Sequence, residues 1–195
     1  MSEEIYPIHE AYVPQRDNNK MGFWVFLSGE VILFGTLIGS FMLFRHRNPE
    51  QFAEVTATLN IPLIALNTFI LILSSFLVVR ALESLRNGSL KGLRLNLIGV
   101  LVLGALFLGG QAYEWIELRN HGIWLDSAFG TPFFTTTGIH GTHVFIGLLW
   151  VIFILIGIGK GAYSKQRFHG VEVFGLYWHF VDVVWIVLFT LFYLI

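Results

Sequence analysis

A helix can cross a lipid bilayer only if about 20 successive residues are predominantly apolar, because with no water present every backbone N–H and C=O must bond within the segment. Five stretches of this chain meet that condition: Met21–Phe44, Ile61–Val79, Leu95–Tyr113, Phe133–Ile158 and Val173–Ile195. The connectors between them are too short to fold as a soluble domain. Composition agrees, since 55% hydrophobic residues, 13% charged residues and a mean hydropathy of +0.68 lie outside the range of an ordinary soluble domain. The expected fold is therefore all-α, a polytopic membrane bundle of five transmembrane helices. Residues 1–20 form a polar N-terminal segment and residues 21–195 a single membrane domain. Neither a repeat of 20–50 residues nor a low-complexity tract interrupts this pattern.

Basic residues orient such a bundle, because Lys and Arg flanking the spans are retained on the cytoplasmic side. Nine of the twelve lie in the N-terminal segment (Arg16, Lys20), the second loop (Arg80, Arg86, Lys91, Arg94) and the fourth loop (Lys160, Lys165, Arg167). Arg45, Arg47 and Arg119 fall on the other side. The N-terminus is thus expected in the cytoplasm and Ile195 outside. Residues 1–20 lack an apolar core followed by a small-residue cleavage site, so the first span is expected to serve as its own membrane signal. Asp17 is a candidate N-cap ahead of it.

Several function classes drop out. There is no cysteine, which removes thiolate-ligated Fe–S clusters, blue-copper sites, cysteine-bridged copper pairs and disulfides. A net charge of −1 offers nothing to nucleic acid. No phosphate-binding loop, dinucleotide-binding glycine fingerprint or nucleophile elbow is present.

What remains distinctive is polar chemistry at membrane depth, where a bare charge costs roughly 2.5–3.5 kcal/mol on insertion scales. Glu30 lies nine residues into the first span, about 14 Å along the axis and near mid-membrane. It must be met either as a protonated acid or as a carboxylate opposite an imidazole; a structural interhelix bond and a proton-handling role both fit. One turn further on, Gly35-x-x-x-Gly39 allows a close helix approach. His140 and His143 share a helical face, which suits hydrogen bonds within the bundle or, alternatively, haem or metal ligation. His179 and Asp182 repeat the spacing and can satisfy each other. Trp178 and Trp185 lie on the face of Asp182, with indole N–H groups free for it or for lipid headgroups. Glu114 and Trp115 suit an interfacial belt, and Glu172 with His169 a solvated ion pair in the inner loop.

These residues sit in a recognisable order: Gln111-Ala112-Tyr113-Glu114, then Phe129-Gly130-Thr131-Pro132-Phe133-Phe134-Thr135-Thr136-Thr137-Gly138-Ile139-His140-Gly141-Thr142-His143-Val144, then His169-Gly170-Val171-Glu172, then Tyr177-Trp178-His179-Phe180-Val181-Asp182-Val183-Val184-Trp185. In order and spacing they resemble subunit III of haem-copper terminal oxidases, from about Met21 to the end of the chain. The long form of that subunit has seven helices; this chain resembles the last five, as in short bacterial forms that include quinol-oxidase subunits.

The resemblance implies an accessory role in a bacterial plasma membrane: no catalytic residue and no metal ligand in this chain, with haem and copper in partner chains. The implied partners are the catalytic subunit I, subunit II and membrane lipid. Bound phospholipid is expected only where a partner completes the cleft that the two absent helices would otherwise form. Glu30 matches the family's buried glutamate, and His143 the histidine expected to face it. Two other readings stand beside this one, a related accessory protein of nitric oxide reductase systems and a small membrane cytochrome whose paired histidines carry haem.

Overall fold

The computed structural model describes residues 15–195, with side chains from Met21 onward. It contains six α-helices: α1 (Gln15–Arg47), α2 (Pro49–Thr58), α3 (Ile61–Arg86), α4 (Leu90–Asn120), α5 (Gly130–Gly159) and α6 (His169–Phe189). A π-turn over Thr190–Leu194 continues α6. Among the described residues there is no β-strand, only an isolated bridge between Ser164 and Arg167. Five helices are long and apolar enough to cross a membrane: α1 from Met21 onward, α3, α4, α5 and α6 with its π-turn.

The helices overrun the apolar stretches at several ends. α4 begins at Leu90 and ends at Asn120, and α6 begins at His169. Hydrocarbon demands helix, but helix does not stop where hydrocarbon stops; the ladder continues until a capping residue ends it. Ser89 caps α4 by accepting from the Gly92 N–H at 3.2 Å. Two residues past the end of α3, Gly88 with a φ of 82° lets the Ser89 N–H turn back to the Ser84 carbonyl at 2.8 Å. Asp17 lies within α1, which already runs at Gln15, and so does not precede the helix as a cap.

α2 was not expected from the hydropathy pattern. It is too short to span, yet it buries Phe52 and Val55 while Glu54 stays exposed. Phe52 closes one end of the bundle, 5.3 Å from Phe41 and 5.1 Å from Phe129 by ring centroids. Phe192 of the π-turn stacks on Phe41 in the same aromatic cluster.

α6 is the most buried span and α1 the least. Two indoles stitch α6 to α3: Trp178 Nε1 donates to Ser74 Oγ and Trp185 Nε1 to Thr68 Oγ1, each at 3.0 Å. Both rings are buried, so these tryptophans belong to the core and not to a lipid-facing belt. They find hydroxyls inside the bundle, which removes the reason for an indole to seek the interface. Trp178 fits because α4 and α5 offer glycine there; a Cβ on Gly147 would stand 2.6 Å from its ring, and one on Gly104 3.1 Å. Gly35 and Gly39 differ, having open space above them, so none of the described helices uses the close approach they permit.

Candidate functional site

The polar groups fall at different levels of the bundle. Near mid-membrane, Glu30 on α1 and His143 on α5 meet with Oε2 and Nε2 3.0 Å apart, each side chain largely buried. The other ring nitrogen settles the chemistry. Nδ1 lies 2.8 Å from the Ile139 carbonyl, which can only accept, so Nδ1 carries a proton. Nε2 then either accepts from a protonated Glu30 or donates, as imidazolium, to a carboxylate. A neutral imidazole against a carboxylate would set a lone pair against a charge. Both permitted states are neutral overall, which is what a low-dielectric site requires. Phe34 covers His143 at 5.3 Å between centroids, and Tyr177 Oη donates to the His143 carbonyl at 2.9 Å, tying α6 to the same point.

His140 is placed differently. It is fully buried, stacks on Trp185 at 4.9 Å and meets the Phe107 ring edge-on at 5.9 Å; neither ring nitrogen has a hydrogen-bond partner. Aromatic rings thus enclose it, with no space for a haem macrocycle beside it. Among the described residues, no three His, Asp or Glu side chains converge as a metal site would need.

On α6, His179 and Asp182 do not pair. His179 Nδ1 turns to Ser75 Oγ on α3 at 2.6 Å. The same serine neighbours Asp182, but neither buried carboxyl oxygen of Asp182 makes a hydrogen bond of good geometry. The i, i+3 spacing brings both residues to the α3 side, and the hydroxyl found there wins over the intrahelical contact. Ser75 carried no signal in the sequence, since a serine in a membrane helix commonly bonds only its own backbone.

Toward the α2 end, Glu114 is buried within the bundle and does not face lipid. Its Oε2 accepts from Gln111 Nε2 at 2.7 Å and from Tyr193 Oη at 2.9 Å. Trp115 lies half-buried against Phe134, ring centroids 5.4 Å apart, its N–H enclosed and without a partner. At the opposite end, Glu172 sits 3.3 Å from His169 Nδ1 and 3.3 Å from Arg86 at the end of α3. Arg86 also lies over the Phe168 ring at 5.2 Å. The expected inner-loop ion pair thus includes a third partner that clamps α3 to the start of α6.

A bundle of five helices long and apolar enough to cross a membrane, with acids and imidazoles bonded between them, is that of a multi-pass membrane protein. The family model "Cytochrome c oxidase subunit III" matches residues 5–195. Quinol oxidase subunit 3 of Bacillus spizizenii is 41% identical over 182 residues, covering 90% of this chain and 86% of that protein. Its Bacillus subtilis counterpart is 40% identical over the same length with the same coverage. A probable quinol oxidase subunit 3 of Staphylococcus saprophyticus is 35% identical over 178 residues, covering 91% of this chain and 89% of that protein. The chain belongs to the cytochrome c oxidase subunit III family.

Proposed function

We propose that this chain is the noncatalytic subunit III of a proton-pumping haem-copper terminal oxidase in aerobic respiration. It packs against the catalytic subunit I, with subunit II in the same assembly, and steadies proton uptake by the catalytic chain. Haem and copper reside in those partners, and the reduction of O2 to water takes place there. The relatives' names favour quinol as the electron donor of the complex. Family membership across nearly the whole chain carries this reading, and the Glu30–His143 pair is compatible with it. Glu30, His140, His143, His179 and Asp182 then serve to hold the helices together, with Glu30 the residue best placed to influence protons. Phospholipid fits where a partner helix closes over the exposed face of α1.

The test is copurification. A tagged copy expressed in its own bacterium should elute with haem-bearing chains in fixed stoichiometry, and its own visible spectrum should vanish once those chains are removed. A Soret band that stays with the isolated chain would overturn the accessory role.

Orientation follows from the basic residues. The N-terminus lies in the cytoplasm of a bacterial plasma membrane and Ile195 outside. A phosphatase reporter joined after Ile195 should be active and a fluorescent protein that matures only in the cytoplasm should stay dark there. The reverse pattern would contradict the orientation.

A further inference from the structure

A largely enclosed cavity of about 20 Å3 of water-accessible space lies between α3 and α4, near the connection from α2 to α3. A site needs about 10–15 Å3 to hold one water. Glu114 and Asn67, both more than nine-tenths buried, line it. Both hydrogen bonds to Glu114 fall on Oε2, leaving Oε1 enclosed and without a partner. Asn67 spends its N–H on the Phe107 carbonyl at 3.0 Å, so the oxygen of its amide is the unspent end. Asn67 lies against Gly110, where a Cβ would stand 2.7 Å from that oxygen. Glu117 and His121, one and two turns beyond Glu114, complete the wall on the side of the aqueous loop.

We propose that this cavity is a hydration site, holding one ordered water between Glu114 Oε1 and Asn67 Oδ1 through which the Glu114 carboxyl exchanges its proton with the aqueous phase beside His121. The match is chemical. A water has two O–H groups for two acceptor oxygens, and lone pairs with which to receive the carboxyl proton when Glu114 carries it. A metal cation suits the site less, since two side-chain oxygens fall short of the six or more ligands such ions take. An empty cavity would leave the carboxyl oxygen desolvated with nothing in return. Glycine at position 110 keeps the Asn67 amide from being pushed across this space.

Millisecond X-ray radiolysis of the protein in its native membrane assembly tests the proposal, because activated bound water oxidises the side chains beside it. Ile64 and Leu118 line the cavity and, at 4% and 3% exposure, are buried; Leu93 and Leu97 are fully buried and do not line it. We expect Ile64 and Leu118 to be oxidised several-fold faster than Leu93 and Leu97, with heavy oxygen appearing in the products after brief mixing with heavy-oxygen water. Gly110→Ala should bring the two rates down to those of the dry core. If that variant does not assemble, Asn67→Leu, which removes one acceptor without adding bulk at position 110, should do the same. Equal rates at all four positions in the unaltered protein would overturn the hydration site. Labelling without heavy-oxygen uptake would overturn the exchange with the aqueous phase.

Discussion

Glu30→Ala should release this subunit from its complex, while Glu30→Gln should largely retain it. The alanine variant leaves His143 Nε2 without its partner, since Glu30 is its only side-chain hydrogen-bond partner among the described residues and Nδ1 is held by the Ile139 carbonyl. An orphaned buried group of this kind costs about 1–3 kcal/mol. Glutamine can donate an amide N–H to the lone pair of a neutral imidazole, so the contact between α1 and α5 survives. That contact matters because α1 is the least buried of the spans and rests mainly on α5 and α6. Loosening it exposes the face on which a partner would sit. The check is subunit stoichiometry after mild detergent extraction, read beside oxidase turnover.

Turnover separates two roles for Glu30. If it holds helices together, activity should fall in proportion to the subunit lost, and the glutamine variant should keep most of both. If the carboxyl carries protons through an obligatory step, a fully assembled Glu30→Gln complex should lose turnover outright. The neutral pair derived from the Nδ1 bond accommodates a proton moving between Glu30 and His143 without a change in net charge. That makes the structural outcome the expected one.

Much of the fold was legible in the sequence for a simple reason: lipid tolerates only satisfied backbone, so long apolar runs have one outcome. α2 was not legible, because a ten-residue amphipathic helix lying across the end of a bundle needs Phe41 and Phe129 in place before its burial can be seen. Glu30 and His143 are 113 positions apart, so spacing could mark each as unusual but only family resemblance could suggest that they meet. The tryptophans were misplaced for a physical reason as well. An indole in a membrane helix defaults to the interface unless a buried acceptor waits for it, and the hydroxyls of Thr68 and Ser74 are silent in the sequence. His179 likewise found Ser75 in place of Asp182. The spacing of Gly35 and Gly39 permits a close helix approach, yet among the described residues nothing lies within 4 Å of where their Cβ atoms would stand.

The largest loss of stability should come from Trp178. Its ring is fully buried, wedged between glycines of α4 and α5, and bonded to α3, so it joins three helices to α6. Trp178→Ala should cost about 3–5 kcal/mol, as large-to-small core changes do when the site cannot collapse. Trp178→Phe keeps most of the ring and loses one hydrogen bond, worth about 1 kcal/mol. Ser74 Oγ is not stranded by that change, because it still donates to the Leu71 carbonyl at 2.6 Å. Gly147→Ala attacks the same contact from the other side: the new methyl collides with a rigid ring, at about 1–3 kcal/mol. Gly109→Ala is the control, since a Cβ there meets no other atom. Thermal unfolding of the purified complex should therefore rank the variants Trp178→Ala below Gly147→Ala, then Trp178→Phe, with Gly109→Ala unchanged. If Trp178→Ala unfolds with Gly109→Ala, the bundle is held by its outer contacts and the tryptophan wedge is not its centre.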